Sequence, residues 1–292
     1  IDKYKVIKYF DNSEKINIRF ERVKYLNGMV PKIKIINKNM YFYDYVNGKV
    51  LSEVYEEDVL KEFLNFSQDR LFGKFVDFNK SDNFIENCKL MYEDKTKKRL
   101  SALVGSKLDA INKINGVEVP PINDLLKMIN WNLIYDTAVP SCFHGDLQLE
   151  NIIYDDINKT FVLIDWREKF GESLDTGDVY YDLSKIHHSL LINGKSILNG
   201  NYSYSIKGDT AFVSFTAKNN LIYFMKIFED FCRKNKYDWT NVEILSALHY
   251  LNISTLYENF QNGEYGRFLF LYGKYLLTKI LRDNHFTHKP TT

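Results

Sequence analysis

The segment FHGDLQLEN at residues 143–151, followed by LIDW at residues 163–166, decides how this chain is interpreted. Asp146 stands at the start of a turn, Asn151 follows five positions later, and Asp165 comes directly after an apolar strand. Phosphoryl transfer needs a carboxylate that orients the acceptor hydroxyl, together with oxygen ligands that hold magnesium on the nucleotide phosphates. These three side chains supply those groups, so the pattern indicates phosphoryl transfer.

A β-hairpin is predicted immediately after this segment. The apolar stretches 152–154 and 161–164 are separated by the turn residues 155–158, a pattern typical of two antiparallel strands. Because a hairpin brings its two ends together, we expect Asp146, Asn151 and Asp165 to converge. The alternative treats both aspartates as turn or strand-end residues, and it leaves their spacing from Asn151 unexplained.

The whole pattern resembles the catalytic loop and metal-binding aspartate of the aminoglycoside phosphotransferase and choline kinase family, which is related to the protein kinases. The resemblance implies that Asp146 is the catalytic base, that Asn151 is a magnesium ligand and that Asp165 is the main magnesium ligand. His144 matches a residue that braces the loop without touching substrate. Mg²⁺ and ATP are the implied cofactors, with GTP as an alternative donor.

The segment GDVYYDL at residues 177–183 resembles the part of this family that follows the metal-binding aspartate. The resemblance implies that Asp182 accepts hydrogen bonds from the backbone of the catalytic loop. Asp178 is predicted to be the N-cap of a helix, because aspartate is a preferred residue there. On that helix, His187 shares the apolar stripe and is expected to be a packed core residue.

Towards the N-terminus, the segment 41–49 resembles the linker between the two lobes of such kinases. The backbone groups of Asp44, Tyr45 and Val46 would then pair with the edge of the adenine ring.

Lys8 resembles the lysine that contacts the α- and β-phosphates, since it lies on a short predicted strand over residues 5–10. Glu21 on the following helix is its expected ion-pair partner. Lys5 and Glu14 are rivals for these two assignments, and a solvated lysine on an edge strand is the structural alternative.

These assignments predict an α+β, protein-kinase-like bilobal fold. Residues 1–46 would form a small, truncated β-rich N-lobe with the lysine strand, a helix and a strand pair. Residues 47–292 would form a large helical C-lobe with the catalytic loop and the metal site. Apart from the elements already named, the patterning predicts strands over 32–36 and 40–46, a hairpin over 202–215, and helices over 14–26, 49–68, 86–108, 122–134, 218–235, 241–259 and 265–281.

The phosphate-covering loop of a kinase cannot be placed in this sequence. A kinase-like N-lobe has two strands and that loop before its lysine strand, whereas only seven residues precede Lys8. Either the chain is cut from a longer polypeptide, with an upstream domain fused to it, or its nucleotide site is incomplete. We expect the first, because the chain begins at Ile1.

Composition excludes several other functions. The 292 residues carry a formal net charge of +1, which argues against nucleic acid or an anionic membrane as a partner. The three cysteines are far apart and show no metal-ligand spacing, so we expect neither disulfides nor structural zinc. No apolar run reaches the roughly 20 residues of a membrane span. With no export signal visible, the expected location is the cytoplasm.

The acceptor is less clearly indicated. The basic segment 94–99 and Arg167 resemble features of members linked to bacterial capsule and surface polysaccharides. Arg167 could bind a phosphate or carboxylate of a sugar, or instead form an ion pair with a neighbouring glutamate. A wall containing Trp166, Tyr180 and Tyr181 would suit a cationic acceptor instead.

The sequence therefore predicts a Mg²⁺-dependent kinase that phosphorylates a hydroxyl of a sugar or amino alcohol, in capsule or surface-glycan biosynthesis. The first alternative is a catalytically silent kinase-like binding domain of a larger protein. The second is a protein kinase or RNA-modifying factor. The near-neutral charge argues against RNA, and the lack of an Ala-Pro-Glu-type segment after Asp165 argues against a protein substrate.

Overall fold

The computed structural model describes residues 4–26, 28–73, 81–192, 194–257 and 260–287. The strands, in chain order, are β1 (Lys5–Tyr9), β2 (Lys34–Asn37), β3 (Met40–Asp44), β4 (Lys49–Val50), β5 (Lys113–Ile114), β6 (Val117–Glu118), β7 (Pro140–Cys142), β8 (Ile152–Asp155), β9 (Thr160–Leu163), β10 (Thr176–Asp178), β11 (Tyr202–Lys207) and β12 (Thr210–Phe215). The helices are α1 (Glu14–Arg22), α2 (Glu57–Ser67), α3 (Asp82–Lys89), α4 (Lys95–Leu100), α5 (Ile122–Lys127), α6 (Trp131–Thr137), α7 (Val179–Leu191), α8 (Gly194–Leu198), α9 (Asn219–Lys234), α10 (Trp239–Ser254) and α11 (Glu264–Thr287). This mixture confirms the predicted α+β class.

The N-terminal part is a three-stranded antiparallel sheet in the order β1-β3-β2, and α1 lies between β1 and β2 in the chain. In the register of β1 and β3, Lys5 lies opposite Asp44 and Lys8 opposite Tyr41. The chain then leaves this sheet and enters a second one, where Lys49 of β4 pairs with β8. The predicted lobe boundary after residue 46 lies between β3 of the first sheet and β4 of the second. That the two lobes divide there stays a prediction.

The β8–β9 hairpin forms as predicted, with Ile152 opposite Leu163. The register brings the residues that flank the hairpin together, because the N–H of Ile164 donates to the carbonyl of Asn151 at 2.9 Å. The predicted hairpin over 202–215 forms as β11 and β12, and its second strand also pairs in parallel with β5.

Most predicted helices are present, but several have different bounds: α1 ends at Arg22, α2 begins only at Glu57 and α10 ends at Ser254. Two further predicted helices are broken. The stretch predicted as a helix over 86–108 continues through a widened π-helical turn into α4 and ends at Leu100. Beyond it the chain turns at Gly105, whose φ of +70° lies outside the helical region. The stretch predicted over 122–134 is interrupted before α6, where the side chain of Asn130 caps the new helix by accepting from the N–H of Leu133 at 3.1 Å.

The main core packs α2, α7, α9 and α10 around the hairpin and the catalytic loop. A second apolar cluster lies between the β11–β12 sheet and α11. The three cysteines, Cys88, Cys142 and Cys232, are all buried. Among the described residues, no helix is both long and apolar enough to cross a membrane.

Candidate active site

The predicted catalytic loop, residues 143–151, follows β7 and is anchored by hydrogen bonds to α7. The backbone N–H groups of His144 and Gly145 donate to the two carboxylate oxygens of Asp182, at 2.6 and 2.8 Å. Gly145 has a φ of +86°, and a Cβ there would lie 2.5 Å from the Cβ of Arg167. The predicted contact of Asp182 with the loop is therefore confirmed. Glycine is required at 145 both by its backbone conformation and by the close approach of Arg167.

The His144 ring lies within this loop and is fully buried. Its Nδ1 accepts from the N–H of Asp146 at 3.3 Å, so its Nε2 is the nitrogen that donates to the carbonyl of Ile164, at 3.0 Å. Burial lowers the pKa of the ring to about 4, so the imidazole is neutral. It ties the loop to the end of β9, as the resemblance implies.

The predicted base, Asp146, lies at the mouth of the loop with a half-buried side chain. Its Oδ1 accepts from Lys185 Nζ and from Gln148 Nε2, both at 2.9 Å. Asn151 donates its amide N–H to the Asp146 carbonyl at 2.8 Å and to Oδ2 at 3.2 Å. Burial raises the pKa of Asp146, but the Lys185 ammonium and the hydrogen bonds outweigh it and hold the pKa well below its ordinary value. Asp146 is therefore a carboxylate at neutral pH.

Lys185 forms an ion pair with the predicted base, a contact that the sequence analysis missed. Its side chain is 8% exposed and projects from α7 three residues after Asp182. Burial lowers its pKa, yet the Asp146 carboxylate and Tyr181 raise it further than burial lowers it. The signal was present in the sequence, because a lysine within an otherwise apolar helix needs a buried partner.

Asp165 follows β9 at the end of the hairpin opposite its turn. Its φ of +58° lies in the left-handed region, which aspartate tolerates better than most residues. Both carboxylate oxygens contact Lys8 Nζ, at 2.7 and 2.8 Å. Lys8 rather than Lys5 thus lies at the site.

The expected Lys8–Glu21 ion pair is not formed, and this prediction was wrong. Glu21 is exposed on α1 and forms no ion pair with any described residue, as is also true of its rival Glu14. The residue of α1 that turns inward is the neighbouring Arg22, and Lys8 pairs instead with the carboxylate at the end of β9.

Arg22 connects α1 to the catalytic loop and was not predicted. It is fully buried, and it donates to the carbonyls of Phe143, Leu174 and Arg167. Its guanidinium also lies 3.8 Å from the centroid of the Phe143 ring. The burial of a charge satisfied by three carbonyls shows that the helix is coupled to the loop.

The donor set near Asp165 fits a magnesium ion bound through a nucleotide. Asn151 and Asp165 offer oxygen ligands at the same end of the hairpin. No group of three His, Cys, Asp or Glu side chains in the described parts of the chain could hold a metal by itself. Mg²⁺ commonly takes one or two protein ligands and completes its shell with phosphates and water.

The segment predicted as the linker, 41–49, begins within β3, whose last residue is Asp44. Asp44 and Tyr45 are exposed and Val46 is half-buried. The N–H of Tyr45 donates to the carbonyl of Tyr4, the residue before β1, at 2.8 Å. Pairing of adenine with that N–H would require the contact with Tyr4 to open.

Trp166 does not contact the cleft, so its assignment as a substrate residue was wrong. The indole is fully buried, donates through Nε1 to the carbonyl of Arg19 at 3.3 Å and stacks near Tyr41. Tyr180 is likewise buried and accepts from the N–H of Asp238. The proposed aromatic wall for a cationic acceptor is therefore absent at these positions, because both rings pack into the core.

Arg167 points towards α7 and not to its neighbouring glutamates. It donates through Nη1 to the hydroxyl of Tyr181 at 3.0 Å, and Lys95 Nζ donates to the same oxygen at 3.1 Å. The glutamates that could have paired with Arg167 have other partners: Glu168 binds Arg19, and Glu172 binds Lys169. The alternative ion pair between Arg167 and a neighbouring glutamate is therefore not formed. Binding of an acceptor phosphate or carboxylate by Arg167 stays a prediction.

Two comparisons by sequence, against protein-family profiles and against curated proteins, find no match. Comparison with solved structures does. Choline kinase LicA from Streptococcus pneumoniae superposes with a TM-score of 0.50 at 13% identity, over 97% of this chain and 87% of that one. An ethanolamine kinase from Plasmodium vivax gives 0.47 at 14% identity, over 95% and 76% of the two chains. The GDP complex of aminoglycoside 2'-phosphotransferase-IIIa gives 0.47 at 12% identity, over 97% and 94%.

The likeness to the pneumococcal choline kinase extends over both the N-terminal sheet and the helical part that carries the catalytic loop. At this level of identity it concerns the fold. The chain therefore has the bilobal, protein-kinase-like fold of choline kinase.

Proposed function

We propose that this protein is a Mg²⁺-dependent kinase that transfers the γ-phosphoryl group of ATP, or of GTP as an alternative donor, to a hydroxyl of a small molecule. The observation that carries the proposal is the arrangement around Asp146. An ionised carboxylate is bonded to Asn151 and Lys185 at the base of the hairpin that ends in Asp165. The choline kinase fold supports the same reaction class.

Each residue has a distinct role in this proposal. Asp146 accepts a hydrogen bond from the acceptor hydroxyl, orients its oxygen and takes its proton as the new bond forms. Asn151 and Asp165 would hold the magnesium ion, and Lys8 would release Asp165 to contact the phosphates. The bound Mg²⁺–nucleotide supplies the transferable phosphoryl group and neutralises its charge. Because the transition state is loose, catalysis depends mainly on positioning and electrostatic stabilisation.

We propose a sugar or an amino alcohol of capsule or surface-glycan biosynthesis as the acceptor class. This rests on the resemblance of the segment 94–99 and Arg167 to proteins of that kind. The same proposal places the protein in the cytoplasm, where nucleotide triphosphates are available.

The direct test is the variant Asp146→Asn. The amide keeps the size of the side chain but cannot take the hydroxyl proton, so we expect turnover to fall at least about 100-fold. Stabilisation by ATP and Mg²⁺ in a thermal-shift titration should persist, because Asp146 is not a nucleotide ligand in this scheme. Asp156→Asn, in the exposed turn of the same hairpin, is the matched control and should leave turnover unchanged.

Unchanged turnover in Asp146→Asn would refute the assignment. The alternative, a silent kinase-like binding domain, predicts no phosphoryl transfer by the wild-type protein and no thermal shift with the nucleotide. The contact of Lys8 with both oxygens of Asp165 is the observation that favours this alternative.

A further inference from the structure

Four cationic side chains, which we call the cation cluster, surround the space beside Asp146. They come from three separate parts of the fold: Lys95 and Arg99 from α4, Arg167 from the segment after β9, and Lys185 from α7. The inference drawn from them rests on the proposed kinase function, because it concerns the acceptor of that same site.

The charges of the cation cluster are not balanced by protein carboxylates. Lys185 is paired with Asp146. Lys95 and Arg167 both donate to the hydroxyl of Tyr181, and Arg99 donates to the carbonyl of Asn252 at 3.3 Å. Within the described ranges, none of these last three forms an ion pair with a carboxylate. Three cations of the cluster therefore have no carboxylate partner.

Packing fixes the positions of the cation cluster. Thr96, between Lys95 and Arg99, is fully buried and accepts from the side-chain amide of Asn252 at 2.8 Å. This bond fixes α4 against α10, and Lys95 and Arg99, one turn apart, lie on the same face of α4. The backbone N–H of Arg167 donates to the carbonyl of His144 at 2.9 Å. These are anchored groups and not solvated surface lysines.

Tyr181 lies at the centre of the cation cluster and is held rigidly. Its ring is 1% exposed and packs against Tyr92, Phe170 and His249, with centroids 6.1, 5.6 and 5.0 Å away. Its hydroxyl accepts from Lys95 and Arg167, and these two cations also lie 5.3 and 5.9 Å from the centroid of its ring. The fixed ring thus holds its hydroxyl between Lys95 and Arg167.

The electrostatic consequence is an excess of positive charge, because four cations are opposed only by the Asp146 carboxylate and by the Tyr181 phenol, whose pKa they lower to about 7. Burial, with the neighbouring Arg167 and Lys185, lowers the pKa of Lys95 to about 8 against the opposing effect of the Tyr181 hydroxyl. Like charges held together in a partly buried site repel each other, and an anion placed among them would remove that cost. A cationic acceptor such as choline would add to it.

We propose that the acceptor is a small alcohol that already carries a phosphate group, such as a sugar phosphate, bound through that phosphate by Lys95, Arg99 and Arg167 with its free hydroxyl directed to Asp146. A dianionic phosphate matches the number of unbalanced cations better than a single carboxylate. The oxygens of a phosphate point in different directions, and the donors of Lys95, Arg99 and Arg167 approach from two separate segments of the chain. A carboxylate, in contrast, is bound best by donors that lie in its own plane.

The test compares acceptors and variants of the full chain. Glucose 6-phosphate, glucuronate, glucose and choline serve as probes, with binding followed by calorimetry and transfer followed with radiolabelled ATP. For wild-type protein we expect the phosphorylated sugar to bind at least about tenfold more tightly than the neutral sugar, as expected for charge-assisted hydrogen bonds. Arg167→Gln and the double variant Lys95→Gln/Arg99→Gln should each remove that preference.

Lys98→Gln is the matched control. Lys98 is an exposed lysine of the same helix, and its loss should change binding of the sugar phosphate by no more than about twofold. Thermal unfolding of each variant verifies that it is folded. If one of these variants does not fold, Arg167→Lys serves in its place. This variant keeps the charge but loses the planar guanidinium, so it should show an intermediate loss of affinity for the sugar phosphate.

Failure of this proposal is distinguishable from failure of the kinase function. Transfer to choline or to the neutral sugar with equal efficiency, unaffected by Arg167→Gln, would overturn the anionic acceptor and leave the kinase intact. Tighter binding of glucuronate than of glucose 6-phosphate would overturn the choice of phosphate. Binding of the sugar phosphate that is lost in Arg167→Gln, without transfer by the wild-type protein, would support the anion site and contradict the kinase.

Discussion

Lys8 Nζ lies 2.7 Å from Oδ1 and 2.8 Å from Oδ2 of Asp165, so the first strand and the end of the catalytic hairpin are joined by an ion pair. Both side chains are about one third exposed, at 29% and 33%. An ion pair with that exposure contributes little to the free energy of unfolding. The pair therefore joins two separate parts of the chain at the proposed nucleotide site and adds little stability.

The first prediction concerns this junction. Lys8→Met removes the charge that would contact the phosphates, so we expect at least about a tenfold weaker affinity for ATP with Mg²⁺. Calorimetric titration measures it. Lys5→Met is the matched control, since Lys5 lies on the same strand with its ammonium over the Phe42 ring. A loss in Lys5→Met and none in Lys8→Met would reverse the assignment.

The second prediction concerns Lys185. Its ammonium is the main group that lowers the pKa of Asp146 against the effect of burial. Lys185→Met should therefore raise that pKa, and the base would become protonated at a higher pH. We expect the acidic limb of the plot of kcat/KM against pH to move upward by more than about one unit.

Lys185→Arg provides the control for this prediction, because it keeps a positive charge beside Asp146. Its acidic limb should stay close to that of the wild-type enzyme. An unshifted limb in the methionine variant would show that Lys185 does not set the ionisation of the base.

The third prediction concerns the titration of Tyr181. Burial raises the pKa of the phenol, but Arg167, Lys95 and Lys185 outweigh it and lower the pKa to about 7. The ordinary value of 10 applies in the unfolded chain. Because the folded pKa is the lower one, the stabilisation is complete above pH 10, declines as the pH falls and is lost below 7.

We therefore expect the free energy of unfolding of the wild-type protein, relative to Tyr181→Phe, to increase between pH 7 and about pH 9. Urea denaturation at a series of pH values measures it. Tyrosinate absorbance should show a transition near pH 7 that Tyr181→Phe lacks. Stability differences that do not change with pH would contradict this account.

The fourth prediction concerns Arg22, which couples α1 to the catalytic loop. Arg22→Met leaves the carbonyls of Phe143, Leu174 and Arg167 without their donor. We expect the free energy of unfolding to fall by at least about 3 kcal/mol. Chemical denaturation measures it, with Lys15→Met on the exposed side of the same helix as control. A loss no greater than that of the control would show that the loop does not depend on Arg22.

Local signals in the sequence were sufficient for the hairpin and its flanking residues. Alternating apolar strands around a short polar turn have one register that keeps the apolar set buried. That register places Asn151 next to the residue before Asp165. The same holds for Asp182, whose position at the start of a helix directs its carboxylate towards the loop packed beneath it.

Predictions that depended on which face of a helix or strand becomes buried were wrong for Glu21 and Trp166. Glu21 and Arg22 are adjacent on α1, and the one that turned inward was the cation, because the loop below offers carbonyl oxygens. Trp166 follows the predicted metal ligand directly, yet its ring belongs to the core. Adjacent residues point in different directions, so nearness in sequence to a catalytic group does not place a side chain at the site.

The sequence by itself determined that Asp146, Asn151 and Asp165 lie at one end of the β8–β9 hairpin, because short-range strand pairing and turn chemistry place those residues. Only the tertiary structure decided the partners of Lys8 and Lys185 and the meeting of Lys95 with Arg167 at Tyr181. Those contacts join segments far apart in the chain, and they depend on how helices pack over the hairpin. Local propensity does not encode that packing; the burial of the whole core fixes it.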